Sequence, residues 1–312
     1  MSANYQSGVI AQANSDALFI TLNVKQGQDQ QVVHALKQMQ FTVDLLKARF
    51  SVQDLHAVIA IGSEYWDRLT FHISNPAPLR PALFTSFPVL HGATNAPSTP
   101  ADILLHLRSN RRDITFELAR ALMALLGDAV DVVEDVSCFR YLDARDLTGF
   151  VDGTENPEGE HRKDVALVGE EDAAFAGGSY IHLQRYIHNL NQWSQQSVKE
   201  QEDTYGRTKD DNVEYPSSEK PLTAHTKRAS LKDSAGDSIE ILRHSMPYGN
   251  VTEAGLVFAS YCHTPENFTL ILKSMVEGDS HGHSDRLMQF TTAVTGQAFF
   301  APPLHWFDEQ VC

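Results

Sequence analysis

The chain has 312 residues, of which 42 % are hydrophobic and 21 % are charged, and its formal net charge is −15. This length allows about two domains, and the composition is that of a globular protein with a hydrophobic core. The negative charge disfavours nucleic acids and anionic membranes as partners, because both would repel the protein. No basic run and no nucleic-acid-binding motif occurs. We therefore expect neither a nucleic-acid partner nor a membrane partner.

The N-terminus and the cysteines predict a cytoplasmic protein. The first residues, MSANYQSGVIAQANSDALF, contain no basic stretch followed by an apolar run, so they do not resemble a signal peptide. No apolar segment approaches the ~18 residues of a membrane-spanning helix. Cys138, Cys262 and Cys312 are far apart and form no CxxC pair. This pattern indicates neither a disulfide framework nor a cysteine zinc site.

The first half of the chain predicts strand, helix, strand and then the same order again. In the first helix, Val32, Leu36, Met39 and Val43 recur at the spacing that brings apolar side chains to one face. The predicted strands are 17–24, 56–63, 102–109 and 130–142, and the predicted helices are 30–48 and 112–126.

The second half repeats this order of elements without repeating the sequence. The predicted strands are 178–188, 238–246, 254–263 and 297–303, and the predicted helices are 189–203, 265–277 and about 283–289. Two polar segments, 152–177 and 204–237, are interpreted as a connection and as a stretch of linker-like composition. The recurring order predicts an α+β protein with two ferredoxin-like βαββαβ modules, spanning 1–151 and 152–312.

The stretch LTGFVDGTENP at 147–157 places Asp152 in a glycine-rich turn between Gly149 and Gly153. One interpretation is a hairpin, since Asp-Gly is a strong turn signal. The other is a loop whose glycines allow close approach of the backbone to a bulky ligand, with the carboxylate directed at that ligand. The local sequence leaves both open.

Two further residues are candidates for chemistry. His225 lies in PLTAHTKRASL, and because the chain has 14 histidines, a surface or hydrogen-bonded role is favoured over metal ligation on this residue alone. Arg243 lies in the apolar run IEILRHSMPYG, where strand alternation places it on one face with Ile241 and Ser245. If that face is buried, Arg243 needs a polar or anionic partner.

The cluster HGHSD at 281–285 could form a non-haem zinc or iron site through His281, His283 and Asp285. No HExxH motif and no facial-triad spacing accompanies it. A solvated turn before the following helix is the preferred interpretation for His281 and His283.

Taken together, these stretches resemble the dye-decolourising peroxidases, in particular their bacterial B-type group. Residues 149–153, GFVDG, fit the family's GxxDG motif. The stretches AGGSYIHLQRYIHNL, GRTK at 206–209, TAHTKR, ILRHSMPYG and DRLMQFTTAVTG follow in the family's order. The resemblance covers essentially the whole chain.

The resemblance implies a dimeric α+β barrel type of fold, with one haem b in the C-terminal module. His225 would be the proximal iron ligand, and Asp285 the carboxylate that orients it. Asp152 and Arg243 would be the catalytic residues on the distal face. Arg207 would pair with a haem propionate, as its fork-shaped cation suits a carboxylate.

Four further residues complete the haem-binding set that the resemblance implies. Gly153, Thr154 and Glu155 continue the motif loop, and its glycines would let the loop lie close to the flat macrocycle. Ser245 stands where other members have asparagine. The full set of expected haem-binding residues is Gly153, Thr154, Glu155, Arg207, His225, Ser245 and Asp285.

The implied function is a haem-dependent peroxidase that reduces hydrogen peroxide through a ferryl intermediate and oxidises bulky dyes or other aromatic one-electron donors. Asp152 would transfer the peroxide proton. Arg243 would lower the pKa of Asp152 and stabilise developing negative charge. We expect a mildly acidic optimum and a homo-oligomer, a dimer or larger. The alternative is a haem- or porphyrin-handling protein, such as an iron-releasing one, with incidental peroxidase activity.

Overall fold

The computed structural model describes residues 4–72 and 80–309, and ten of the strands in this part of the chain form one sheet. The strands are β1 (Asp16–Val24), β2 (His56–Gly62), β3 (Leu90–His91), β4 (Asn95–Ala96), β5 (Ile103–Ser109), β6 (Val130–Phe139), β7 (Ser179–His188), β8 (Leu242–Arg243), β9 (Met246–Gly249), β10 (Ala254–Cys262), β11 (Thr291–Ala293) and β12 (Gln297–Ala301).

Helices cover this sheet and connect its strands. The α-helices are α1 (Asp29–Phe50), α2 (Trp66–Phe71), α3 (Arg112–Leu126), α4 (His161–Ala166), α5 (Leu190–Ser194), α6 (Val198–Tyr205), α7 (His225–Ala229), α8 (Pro265–Val276) and α9 (Leu304–Glu309). Three short 3₁₀ helices lie at Gly127–Ala129, Glu170–Phe175 and Arg286–Gln289. Among the described helices, none is long and apolar enough to cross a membrane.

The sheet is antiparallel and closes on itself. Its continuous path is β7-β12-β2-β5-β1-β6-β9-β10, and β10 pairs again with β7. The N-terminal half supplies the run β2-β5-β1-β6, and the C-terminal half supplies β12-β7-β10-β9. When the second run is read from β9 to β12, its strands follow the same order as those of the first run: second, third, first and fourth along the half. The α+β character of the prediction is confirmed.

Strand alternation gives the sheet two apolar faces. In β1, Leu18, Ile20 and Leu22 pack against the stripe of α1, whereas Ala17 and Phe19 point to the interior of the closed sheet. The buried stripe of α1 consists of the apolar residues that the sequence predicts, among them Val32, Leu36, Met39 and Val43. Each fully buried aliphatic or aromatic side chain of this kind stabilises the fold by about 1.5–3 kcal/mol.

The two halves share one core at the place where the sheet passes from β12 to β2. Phe300 and Trp306, from the C-terminal end, contact Trp66 with ring centroids 5.7 and 5.3 Å apart. Phe175 also packs on Trp66 at 5.7 Å. The hydrophobic core of the N-terminal half is therefore completed by residues from the other half.

The regular elements predicted for the first half are present, but several predicted bounds, most of them in the second half, are wrong. The predicted helix 189–203 is two helices, α5 and α6, because Ser197 begins a new helix with a capping box to Glu200. The predicted strand 238–246 is reduced to β8 and the start of β9. The strand predicted at 130–142 ends at Phe139.

The two polar segments contain more structure than their composition indicates. Within 152–177 lie α4 and a 3₁₀ helix, and Arg162 of α4 donates hydrogen bonds to the carbonyls of Ile10 and Ala11. Within 204–237 lies α7, which begins at His225. Long-range hydrogen bonds order these segments, so describing the first as a plain connection is wrong.

Candidate active site

A cavity of about 1210 Å³ opens between the loop 146–155, strands β7 and β10, and helices α7 and α8. Its apolar wall consists of Phe150, Ile241, Leu256, Phe258, Phe268, Ile271, Leu272, Met275, Leu287 and Met288. Of the residues that the family resemblance predicts for the site, all except Asp285 line the cavity, and Asp285 contacts His225.

His225 and Asp285 form a hydrogen-bonded pair at one side of this cavity, in which Asp285 is buried and His225 is partly exposed. The Nδ1 of His225 lies 2.6 Å from Oδ2 of Asp285, and because a carboxylate can only accept, Nδ1 donates. Burial opposes protonation of His225, but the charge and hydrogen bond of Asp285 outweigh it, so the pKa of His225 is raised. Within the described residues, its Nε2 has no hydrogen-bond partner and is free for another ligand.

Asp285 is held by the backbone on both sides. Its Oδ1 accepts a hydrogen bond from the amide of Leu287 at 2.9 Å, which caps the 3₁₀ helix that follows. Its own amide donates to the carbonyl of Met275, at the end of α8. Both carboxylate oxygens therefore have hydrogen-bond partners, and the carboxylate fixes the orientation of the His225 ring.

The GxxDG loop presents Asp152 to the cavity. Gly149 and Gly153 have φ of +90° and +76°, in the left-handed region that favours glycine. A side chain at Gly149 would also come within 2.7 Å of Cε of Lys209. The amide of Asp152 donates to the carbonyl of Ala144 at 2.9 Å, which closes the turn.

Two opposing effects act on the pKa of Asp152. Burial raises it, and the positive charge of Arg243 lowers it by a smaller amount, so that the net pKa of Asp152 is raised. The lowering effect expected of Arg243 has the right sign, but it is smaller than the effect of burial. The desolvation of a carboxylate in a closed cavity is the larger effect.

Arg243 is positioned through its backbone. Its amide donates to Oδ1 of Asn156 at 2.8 Å, and its carbonyl accepts from Nδ2 of Asn156 at 2.7 Å. Ile241, Arg243 and Ser245 all line the cavity, as the predicted alternation requires. The hydroxyl of Ser245 accepts a hydrogen bond from the amide of Ala259 at 3.3 Å.

A second cavity, of about 1130 Å³, lies on the other side of Asp152 and Arg243. Asp152, Gly153, Arg243 and Ser245 line both cavities and so form the wall between them. Four arginines also line the second cavity: Arg108, Arg140, Arg145 and Arg162.

Arg207 is the second cation of the first cavity. It is only 7 % exposed, and its Nε has no hydrogen-bond partner among the described residues. A buried guanidinium in this state is costly unless an anion satisfies it. Arg207 therefore indicates an anionic group in the occupant of the cavity.

Thr154 and Glu155 lie at the exposed rim of the same cavity. The hydroxyl of Thr154 accepts from Nδ2 of Asn212 at 3.1 Å, and Oε2 of Glu155 accepts from the hydroxyl of Ser230 at 3.0 Å. Both side chains link the motif loop to the polar segment 204–237.

The sequence did not single out a second buried His–Asp pair that lines the same cavity. The Nε2 of His188 lies 3.1 Å from Oδ1 of Asp146. Burial raises the pKa of Asp146, but His188 and the hydrogen bonds of Thr148 outweigh it and hold this pKa below its usual range. One signal was present: Gln184, Tyr186 and His188 alternate along β7 and share one face.

The cluster 281–285 is not a metal site in this structure. The Nδ1 of His283 pairs with Asp279 at 3.0 Å, and Asp285 pairs with His225 instead. Within residues 4–72 and 80–309, no group of three or more His, Cys, Asp or Glu side chains could hold a metal ion. The turn interpretation of His281 and His283 agrees with this arrangement.

Comparisons with known proteins match nearly the whole length of the chain. The family model described as Dyp-type peroxidase, N-terminal, matches residues 6–140, and the corresponding C-terminal model matches residues 143–306. A dye-decolorizing peroxidase of Mycolicibacterium paratuberculosis is 40 % identical over 304 residues, which cover 96 % of this chain and 84 % of that protein.

Solved structures agree with these matches. The encapsulated DyP-type peroxidase of Mycobacterium smegmatis is 38 % identical, with a TM-score of 0.93 and 98 % of each chain covered. A DypB variant from Rhodococcus jostii RHA1, solved in complex with heme, is 36 % identical, with a TM-score of 0.91 and 96 % of each chain covered. This chain therefore belongs to the DyP-type peroxidases, a family of haem-dependent oxidoreductases.

Proposed function

We propose that this chain binds one haem b in the cavity beside His225 and uses it to reduce hydrogen peroxide while oxidising aromatic one-electron donors. The observation that carries this proposal is the pair His225–Asp285, at 2.6 Å, in one cavity with Asp152 and Arg243. A histidine ligand with a carboxylate partner becomes more electron-donating, which favours oxidised haem.

Three features of the cavity fit a haem. The Nε2 of His225 has no hydrogen-bond partner among the described residues, and it would bind the haem iron. Arg207 offers its unsatisfied Nε to a propionate. The apolar wall suits the macrocycle, and Gly153, Thr154, Glu155 and Ser245 border the remaining surface. The relative from Rhodococcus jostii, which is solved with heme, supports the same choice.

When bound, the haem would take two oxidising equivalents from peroxide and pass them to aromatic donors in one-electron steps. Asp152, as the carboxylate, would accept a proton from hydrogen peroxide and deliver it to the oxygen that leaves as water. Arg243 would stabilise the negative charge that develops on this oxygen. Asp285 would keep the Nδ1 proton of His225 in place throughout.

We also propose that the chain consists of two ferredoxin-like modules with a boundary near 151. The strand runs β2-β5-β1-β6 and β9-β10-β7-β12 support this division, since each places the four main strands of its half in the order second, third, first, fourth. The haem would belong to the C-terminal module. The matched family models divide the chain at a similar place.

A homo-oligomer and a cytoplasmic location remain proposals. Large apolar side chains are exposed on the single chain, among them Phe41, Phe71 and Phe116, with exposed fractions of 71, 85 and 60 %. Contacts between copies would cover such side chains.

The experiment that tests the function is an absorption spectrum of the haem-reconstituted protein before and after one equivalent of peroxide. We expect a Soret band that is lost or shifted in His225→Ala, and a peroxide-induced spectral change that is abolished in the double variant Asp152→Asn, Arg243→Leu. Full reactivity of the double variant would contradict the assigned roles.

The same experiment distinguishes the alternative of a haem carrier. A carrier needs only a ligand and a pocket, so the presence of Asp152 and Arg243 in the cavity favours the peroxidase. Firm haem binding without any reaction with peroxide in the wild-type protein would instead favour the carrier.

A further inference from the structure

Two tyrosines line the proposed haem cavity, and their hydroxyls have different partners. The hydroxyl of Tyr186 donates to Oε1 of Gln184, a neutral amide, at 2.9 Å. The hydroxyl of Tyr205 lies 2.7 Å from Oγ1 of Thr148. Thr148 in turn lies between Tyr205 and the carboxylate of Asp146.

The directions of these hydrogen bonds follow from chemistry. Oγ1 of Thr148 is 2.6 Å from Oδ2 of Asp146, and a carboxylate accepts only, so Thr148 donates its single proton to Asp146. Thr148 must then accept from Tyr205. The three groups form a continuous path along which a proton can pass from the Tyr205 phenol to the Asp146 carboxylate in two short transfers.

The acceptor at the end of this path is available. Asp146 is buried beside His188 and accepts a third hydrogen bond from the amide of Thr148 at 2.9 Å. These interactions favour the ionised carboxylate. A proton that arrives at Oδ2 therefore finds a negative charge to neutralise.

Tyr205 is also placed next to the proposed cofactor. Its ring lies edge-on to the ring of His225, with centroids 5.8 Å apart, and stacks on Phe150 at 4.0 Å. The ring of Trp193 also lies edge-on to that of Tyr205, with the two centroids 5.9 Å apart. The phenol is thus fixed between the iron ligand and a buried aromatic cluster.

We propose that Tyr205 is a one-electron relay between the haem and external donors, with Thr148 and Asp146 as its proton path. This inference rests on the proposed haem peroxidase function. Peroxide is the oxidant: one electron passes from Tyr205 to the oxidised haem, and the phenol proton passes through Thr148 to Asp146. An aromatic donor then returns an electron to the neutral tyrosyl radical, and the proton moves back from Asp146.

The proton path explains why Tyr205 and not Tyr186 would carry the electron. Oxidation makes a phenol strongly acidic, so the loss of an electron is far easier when a base takes up the proton at the same time. Tyr186 has only the amide of Gln184 at its hydroxyl. Tyr186→Phe is therefore a matched control, since both tyrosines border the same cavity and both variants remove one hydroxyl.

The test is freeze-quench electron paramagnetic resonance of the haem-loaded protein mixed with one equivalent of peroxide and no donor. We expect a tyrosyl radical in the wild type and in Tyr186→Phe, and its loss in Tyr205→Phe. Thr148→Val, which keeps the shape but interrupts the path, should reduce the radical yield while the Soret band and haem content stay unchanged.

Several results would overturn the relay. These are a tyrosyl signal that survives in Tyr205→Phe, a signal lost in Tyr186→Phe, a radical located on tryptophan instead, or no radical although peroxide changes the Soret band. Failure of the proposed function would look different, because the wild-type spectrum would then show no haem binding or no reaction with peroxide. That result would overturn both proposals.

Discussion

Asp152 experiences two opposing influences in the cavity. Burial raises its pKa, and Arg243 lowers it by less. As the proposed proton acceptor, Asp152 works only when ionised. Its raised pKa therefore limits activity on the acid side of the expected mildly acidic optimum.

We predict that the rate of reaction with peroxide falls in acid with a midpoint above the ordinary aspartate pKa of about 3.9. Protonation of Asp152 removes the acceptor, and a raised pKa moves this loss to higher pH. Arg243→Leu removes a positive charge that favours the carboxylate, so its midpoint should lie higher still. Stopped-flow measurement of the Soret change across pH gives both midpoints.

The control for this prediction is Asp152→Asn, which should lack the acid limb as well as most of the rate. A wild-type midpoint at or below the ordinary aspartate value would contradict the role given to burial. A midpoint that moves to lower pH in Arg243→Leu would contradict the role given to Arg243.

At the scale of elements, the junction between α6 and α7 positions His225. Gly206 ends α6 in the left-handed conformation, with φ of +80°. A Cβ at this position would lie 2.5 Å from Oγ1 of Thr226 and 3.0 Å from Cβ of Ala224. Both neighbours flank His225, so close packing at Gly206 determines where α7 begins.

We predict that Gly206→Ala lowers both stability and haem affinity. The left-handed backbone alone costs a non-glycine residue about 1–3 kcal/mol, and the contact with Thr226 must in addition displace the start of α7. Urea unfolding and titration with haem measure the two effects separately.

Gly27→Ala is the matched control, because Gly27 has φ of +79° and no atom within 4 Å of the added Cβ. It should show the backbone cost with unchanged haem affinity. Equal haem affinity in the two variants would show that the packing of Gly206 does not position His225.

At the scale of the whole molecule, the closed sheet and the shared core join the two proposed modules. The pairs β12–β2 and β6–β9 cross between the halves. Trp306 of α9 packs on Trp66 of α2. Neither half can therefore lose its structure without exposing the core of the other.

We predict that the haem-free protein unfolds in one cooperative transition. In Trp193→Phe, fluorescence reports only Trp66 and Trp306, because the chain has three tryptophans. Its thermal midpoint should coincide with that of far-ultraviolet circular dichroism, which follows both halves. A second dichroism transition without a fluorescence change would show that the halves unfold separately.

The sequence predicted elements well where one local period dominates. The stripe of α1 and the apolar strands of the first half needed only their own residues. Prediction failed where long-range contacts decide the structure, as in 152–177, where Arg162 anchors α4 to carbonyls about 150 residues earlier in the chain. Composition alone described this segment as a connection.

The candidate site shows the same division. His225 was one of 14 histidines, and only the family resemblance selected it. Its partner Asp285 lies 60 residues away in the chain, and Asp146 lies 42 residues from His188. No local pattern reports such pairs, because they depend on how α7, α8 and the sheet pack together.

The sequence by itself determined the family, the GxxDG loop and the residues around which the proposed chemistry is built. These depend on residue types in order along the chain and on the left-handed backbone that Gly149 and Gly153 allow. Only the tertiary structure decided that Asp146 pairs with His188, that burial outweighs Arg243 at Asp152, and that Tyr205 has a proton path which Tyr186 lacks. The reason is physical: desolvation and hydrogen bonding act through space, and packing brings together groups that the chain keeps far apart.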